Sequence, residues 1–270
     1  MTVQICSETD PGKARTQNED SVVFDAATGL CVLADGMGGH NAGEVASGMA
    51  TAFIKSDMRN WIADAGKTIL PTDLQAAIVQ SINKANGAIF NMSRGNPQYS
   101  GMGTTLVVGV FHADYLVLAH IGDSRCYRMR QNQIQQLTKD HSVMQEQVDH
   151  GLLTPDQTQP RLGQHLVTRA LGVDLLVQAD FNHYSVVPND IYLMCSDGLS
   201  DMLDDAAIGA ILQSAEALEV KARQLVAAAN AAGGRDNISV LLAQVGEPGT
   251  SGLLGAMRRA MQGVWPGSRQ

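Results

Sequence analysis

The sequence has no CxxC pair. It holds four cysteines, Cys6, Cys31, Cys126 and Cys195, each in or beside a strand-like apolar run, where a buried reduced thiol is the natural reading. A reducing, cytoplasmic compartment is therefore expected. None of the four has an arginine six residues later. That excludes the phosphatase chemistry in which a thiolate attacks inside a phosphate loop. No GxxxxGK[ST] loop is present, and Gly36–Gly39 carries no lysine, which argues against a nucleotide-binding ATPase or kinase. No apolar run approaches the ~18 residues of a membrane span. The start, MTVQICSETDPGK, has neither the basic first residues nor the apolar stretch of a signal peptide. Basic residues are short as well: 19 Lys and Arg stand against 27 Asp and Glu, a net charge of −8. A nucleic-acid binder would want the opposite balance. No internal repeat is visible.

What remains is a chain of 270 residues with 44% hydrophobic content, enough for one large core or two small ones. Strand-like runs fall at Val3–Thr9, Ser21–Asp25 and Leu30–Asp35. Two long helices are expected at about Ala42–Asp64 and Thr72–Ser93. The second places Leu74, Ile78, Ile82, Ala85 and Ile89 on one face, and Pro71 marks its start. Thr104–Phe111, Tyr115–Ile121 and Arg125–Arg130 read as a three-stranded meander. The polar stretch 140–168 reads as a surface excursion with a short helix near Ser142–His150. Strands at Asp180–Ser185 and Ile191–Cys195, helices at Asp204–Ser214 and Leu218–Ala232, and a last strand at Ile238–Val245 follow. This order does not alternate strictly, so an antiparallel sandwich with helix pairs outside fits better than a doubly wound parallel sheet. Residues 1–246 are read as the domain and 247–270 as a linker and short tail. The tail, with Arg258 and Arg259, reads as a docked helix or frayed end more readily than as a membrane or partner contact.

Acidic residues in glycine-rich turns punctuate this frame. They are Asn18-Glu19-Asp20, Asp35-Gly36, Gly122-Asp123-Ser124, Asp197-Gly198 and Gly233-Gly234-Arg235-Asp236-Asn237. A single Asp-Gly is usually only turn chemistry. Several at the ends of buried strands can meet at one rim, where carboxylates repel and need cations. Oxygen ligands without a Cys/His cluster suit hard ions, Mg²⁺ or Mn²⁺. Glycine lets a backbone carbonyl approach such an ion. Two ions ~3.5–4 Å apart can activate a shared water for attack on phosphorus. Arg15, close before the first cluster, offers a forked donor for phosphate oxygens, although an isolated arginine there is more often a surface residue.

The ordered motifs GKARTQNEDS, ADGMGGHNAGEVAS, GMGTTLVV, AHIGDSRCY, LTKDHS, LVTRALG, CSDGLSD and GGRDNISV resemble those of the metal-dependent type-2C (PPM) serine/threonine protein phosphatases. The match runs from about Thr9 to Val245, and the form of the first motifs looks like the bacterial branch. The resemblance implies an α+β fold: a four-layer α-β-β-α sandwich of two antiparallel sheets flanked by antiparallel helix pairs. It implies two Mn²⁺ or Mg²⁺ ions and a third, weaker one. Asp35 would bridge two ions. Asp197 and Asp236 would complete the ligands of one, and the carbonyl of Gly36 would bind the other, with Glu19 and Asp20 nearby through waters. Asp123 would hold the third with Asp197, and Arg15 would bind phosphate. Thr104 and Thr105 match a structural motif, and 140–168 matches a variable flap beside the site. The implied substrates are phosphorylated proteins, by default a partner serine/threonine kinase and its targets. No nucleic-acid partner and no membrane span are expected, and the chain is expected to be a monomer.

One position departs from the pattern of many eukaryotic members, which have histidine where this chain has Met37. Methionine cannot donate a proton to the leaving alkoxide. A water on a metal, or His40, is the candidate proton donor, although His40 also reads as a residue tying down the glycine turn. His120 and His141 read as structural. A binding module of the same fold without catalysis would be expected to have lost metal ligands, whereas all the matched acidic positions are present.

Overall fold

The computed structural model describes residues 2–38, 42–66, 68–153 and 166–246. The chain opens with β1 (Val3–Asp10), β2 (Asp20–Asp25) and β3 (Leu30–Met37), then two long helices, α1 (Ala42–Ala65) and α2 (Pro71–Gly95). Next come β4 (Gly103–Thr104), β5 (Leu106–His112), β6 (Tyr115–Ile121), β7 (Arg125–Arg130) and β8 (Gln133–Gln136). The short helix α3 (Val143–Asp149) precedes β9 (Asp180–Ser185) and β10 (Ile191–Cys195). Helices α4 (Asp197–Ser200), α5 (Asp205–Gln213) and α6 (Leu218–Ala231) and strand β11 (Ile238–Val245) complete it.

Two sheets form, in the orders β1-β11-β10-β7-β8 and β2-β3-β5-β6-β9, with β4 added to β3. Neighbouring strands are antiparallel throughout these ladders. Side chains alternate between the faces of a strand, and here both faces are covered. Cys31 and Leu33 of β3 point to the other sheet, where they share a buried cluster with Cys126, Tyr192, Met194 and Leu241. Leu30, Val32 and Ala34 point the opposite way, into a cluster with Ile54 and Met58 of α1 and Ile78 and Ile82 of α2. On the far side, Ile208 and Leu212 of α5 and Leu225 of α6 pack on Tyr127, Leu193 and Val240. Double coverage explains why these antiparallel strands read as unbroken apolar runs. Each fully buried aliphatic side chain contributes roughly 1.5–3 kcal/mol. The result is the expected four-layer α-β-β-α sandwich.

Local signals place three of the helix starts. Pro71 opens α2, where its missing N–H costs nothing. Ser142 caps α3 by accepting from Gln145 N at 3.2 Å, and Asp204 caps α5 by accepting from Ala207 N at 2.8 Å.

The expected meander is corrected. β5 and β6 pair with each other, but β7 belongs to the other sheet, between β10 and β8. The Gly122-Asp123-Ser124 connection carries the chain from one sheet to the other. Gly122 has φ +98°, and a Cβ there would lie 2.7 Å from Thr105 Cγ2, so glycine is required. Three smaller differences bear on the site. β3 runs two residues past Asp35, because Gly36 and Met37 pair with Thr104 and Gly103. The edge strand β8, with one apolar residue in Gln-Ile-Gln-Gln, gave no strand signal. Asp197 opens the one-turn helix α4 instead of standing in a simple turn. The segment 154–165 within the flap, His40, and the linker and tail at 247–270 lie outside the described residues.

Candidate metal centre

The antiparallel register of β2 and β3 sets Asp20 directly opposite Asp35. The backbone around Asp35 is clamped by the threonine pair. Asp35 N donates to Thr105 Oγ1 at 3.0 Å, its carbonyl accepts from Thr104 Oγ1 at 2.8 Å, and Thr105 N donates to the same carbonyl at 2.9 Å. Thr105 Oγ1 also lies 2.8 Å from Ser124 Oγ, next to Asp123. The second sheet supplies the rest. Asp197 follows β10 and Asp236 precedes β11. Ser196, between β10 and Asp197, donates its hydroxyl to Asp20 Oδ2 at 2.8 Å and so ties the two sheets together at this rim. Asn237 holds the 11–19 loop in place: its Nδ2 donates to Pro11 O at 3.0 Å and Gln17 O at 2.8 Å, and its Oδ1 accepts from Glu19 N at 2.8 Å. That loop carries Arg15, whose NH2 donates to Asp236 Oδ2 at 2.7 Å.

The electrostatics of this rim are dominated by like charge. Burial pushes the Asp35 carboxyl well above the usual carboxylate range, and Asp20, Asp197, Asp123 and Asp236 push it further. Burial does the same to Asp197, followed by Asp123, Asp201, Asp236 and Asp20. Asp20 is pushed up to about 6, chiefly by burial, against hydrogen bonds that favour its charged form. Its Oδ1 is buried with no donor to it. Arg15 touches this group through Asp236, but it is half-exposed and cannot neutralise the whole set. An unpaired oxygen and mutually repelling carboxylates call for a cation from outside. An all-oxygen donor set suits a hard divalent ion.

The sequence-predicted residues divide as follows. Asp20, Asp35, Asp123, Asp197 and Asp236 come together, with Arg15 on their edge. Gly36 lies beside them, where the start of α1 comes very close: a Cβ at Gly36 would run into the Gly43 carbonyl, and it would sit 2.6 Å from the Glu19 carbonyl oxygen on another side. Glu19 is engaged differently. Burial raises its pKa, while Arg15 and the Gly43 N–H, which its carboxylate accepts, oppose the rise. Gly43 lies in the first turn of α1, where a carboxylate is favoured. Met37 is half-buried at the end of β3. Sequence reasoning missed Ser196 and Asn237, whose roles depend on pairing across the sheets. It also passed over Asp201, although four residues after Asp197 is the spacing of one helical turn. Asp123, Asp197, Asp201, Asp140, Arg125 and Ser142 help line a niche of about 30 Å³, room for a water or a bare ion. Arg125 is spent on Asp140, donating Nε to Oδ1 at 3.0 Å and NH2 to Oδ2 at 2.7 Å.

The four cysteines are free and buried. Burial pushes Cys6 up to about 11 and Cys195 up to about 12, the opposite of an activated thiol.

A family model described as "Protein phosphatase 2C" matches residues 13–228. The chain belongs to the protein phosphatase 2C family. It is a protein serine/threonine phosphatase. The serine/threonine phosphatase stp of Listeria welshimeri is 34% identical over 239 residues, covering 87% of this chain and 93% of its own length. The crystal structure of the Mycobacterium tuberculosis serine/threonine phosphatase PstP/Ppp matches with a TM-score of 0.82 and 37% identity, over 92% of this chain and 100% of that one. A crystal structure of the PstP catalytic domain in complex with 2 manganese ions matches with a TM-score of 0.80 and 37% identity, over 91% of this chain and 99% of that one. Among the described residues, no helix of this phosphatase is long and apolar enough to cross a membrane.

Proposed function

We propose that this phosphatase hydrolyses phosphoserine and phosphothreonine in proteins with two Mn²⁺ or Mg²⁺ ions at the rim described above, and a weaker third beside them. The observation that carries this reading is the convergence of Asp20, Asp35, Asp123, Asp197 and Asp236, with Asp35 and Asp197 raised by burial and by the other acids around them. The two manganese ions of the PstP catalytic domain support the count.

Asp35 would bridge the two ions, Asp197 and Asp236 would complete the ligands of one, and the Gly36 carbonyl would serve the other. Asp20, and Glu19 less directly, would act through intervening waters. Asp123 and Asp197 would share the third ion. Bound there, the ions supply Lewis acidity that lowers the pKa of a water and neutralises phosphate charge. The chain's own residues do the positioning. The threonine clamp and the Ser196 link hold the carboxylates rigidly, so little reorganisation is needed as charge develops. Arg15 is the phosphate clamp: its fork of donors is half-exposed at the edge of the cluster, and its contact with Asp236 would give way when a cation takes that carboxylate. Met37 supplies no proton, so the leaving alkoxide takes its proton from water held at the site or from His40.

Residues 1–246 form the catalytic domain in this reading, with a flap at 140–168 and a linker and tail at 247–270. The physiological substrates are a partner serine/threonine kinase and its targets, and the enzyme works as a cytoplasmic monomer. The deciding experiment is turnover of a phosphothreonine peptide with and without Mn²⁺. Metal-dependent release of phosphate, absent in Asp197→Asn, is expected. Equal turnover in excess chelator would overturn the reading.

A further inference from the structure

A second polar cluster lies directly behind the Gly122–Asp123 turn. His120, His141 and Asp180 bring donor atoms within 4.8 Å of one another. The hydrogen bonds favour a use other than a metal site. The Gly122 N–H can only donate, and it points at His141 Nδ1 from 3.1 Å. Nδ1 therefore carries the lone pair, and the proton of the neutral ring sits on Nε2, 3.3 Å from Asp180 Oδ2. Arg169 NH1 is 3.3 Å from the same Nε2 and donates to Asp180 Oδ1 at 2.9 Å. A metal on Nε2 would have to displace that proton and settle beside a guanidinium. His120 is held through one nitrogen: its Nε2 donates to the Lys139 carbonyl at 2.8 Å, its ring stacks on His141 with centroids 4.7 Å apart, and its Nδ1 is buried without a partner.

His141 thus has both ring nitrogens set and one face covered. Its backbone holds the same turn, with His141 N donating to Gly122 O at 3.0 Å. On the other side, Ser124 Oγ meets Thr105 Oγ1 at 2.8 Å, and Thr105 holds the backbone of Asp35. The turn carrying Asp123 is therefore gripped from two sides. The grip reaches the returning arm of the flap, because Thr168 N donates to His141 O at 2.8 Å.

We propose that His141 is a positioning residue: its imidazole, set by Asp180, which Arg169 holds in turn, fixes the Gly122–Asp123 turn and thereby sets the affinity of the cation that Asp123 and Asp197 share. The proposal rests on the reading of Asp123 as a ligand. It links the flap arm to the weaker ion through the backbone of the Gly122–Asp123 turn. Outer partners of this kind typically affect metal affinity by about 10-fold or more.

The test compares His141→Gln with His141→Asn. Glutamine reaches the Nε2 position and leaves the Gly122 N–H without its acceptor. Asparagine keeps an acceptor near Nδ1 and loses Asp180. Amide exchange at Gly122 is read in the metal-free protein, and Mn²⁺ binding by titration calorimetry. In His141→Gln, Gly122 exchange speeds up about tenfold and the weakest Mn²⁺ site loses about tenfold in affinity. His141→Asn recovers most of both. Wild-type exchange and affinity in His141→Gln, or a His141→Asn as impaired as His141→Gln, would overturn the proposal. Asp123→Asn separates the two ideas: it should weaken the same ion and leave Gly122 exchange alone. If Asp123→Asn binds Mn²⁺ like wild type, the ligand reading fails and the cation half of the proposal falls with it. Should His141→Gln not fold, Asp180→Asn keeps the imidazole and loosens its anchor. It should shift the same ion's affinity less but in the same direction, and no shift there would also overturn the proposal.

Discussion

Strand β10 has an aspartate beyond each end, and the fold treats them in opposite ways. Asp190, at one end, is 1% exposed and fully satisfied. Arg130 donates Nε to Oδ1 at 2.7 Å and NH2 to Oδ2 at 2.6 Å, and Val187 N and Tyr192 OH also donate to Oδ2. Asp197, at the other end, meets Asp123, Asp201, Asp236 and Asp20. One carboxylate is completed by the protein, and the other is left for a cation. A buried acid is therefore not in itself a functional signal. An acid whose neighbours are acids is.

The largest expected effect breaks the cation end. Asp35→Asn should lower phosphopeptide turnover by about 10³-fold or more, since it removes the bridge on which metal catalysis depends. In chelator the same variant should melt higher than wild type, because it removes one of the repelling charges. Asp190→Ala should do the reverse. It strands Arg130 and costs about 3–5 kcal/mol of stability, while turnover per folded molecule stays near wild type. Chemical unfolding beside active-site titration distinguishes the two. A catalytic defect in Asp190→Ala that matches Asp35→Asn would erase the contrast. Next in size is Arg15→Ala. Loss of a charge-assisted bond of about 1.5–3 kcal/mol should lower kcat/KM roughly 10- to 100-fold, with Arg15→Lys recovering part of it because lysine lacks the fork.

The smallest effect is a pH dependence. Asp20, Asp35 and Asp197 have folded pKa values raised above the ordinary carboxylate value. A raised carboxyl favours the fold while it is protonated and loses that contribution as pH rises through its folded pKa. The metal-free protein should therefore lose stability from about pH 4 upward through about 6, the value for Asp20. His120 and His141, both lowered by burial, act in the opposite direction. The difference between wild type and Asp35→Asn cancels them. That difference should widen with pH in chelator and close with Mn²⁺.

Most of the frame was legible in the sequence because apolar runs and turn residues are local signals. β6, β7, β10 and β11 lie within the bounds that their composition suggests. The site acids were legible singly from glycine turns and jointly from the order of the motifs. What was not legible depends on pairing between distant segments. Arg125–Arg130 looks like the third strand of a meander, and only the left-handed Gly122 against Thr105 sends it to the other sheet. Ser196 and Asn237 look like ordinary polar residues until β10 and β11 bring them to the rim. Glu19 reads as one more acid of the cluster until the start of α1 takes its carboxylate. Arg130 and Asp190 are 60 residues apart, and no local pattern marks them as a pair.

The most direct test is titration of Mn²⁺ into the metal-free wild type and Asp35→Asn, each checked for folding by its melt. Two or more ions should bind wild type and raise its melting temperature, and at least one should be lost in Asp35→Asn. A wild type that binds no Mn²⁺, or a variant that binds it identically, would contradict the claim that these carboxylates are left open for cations.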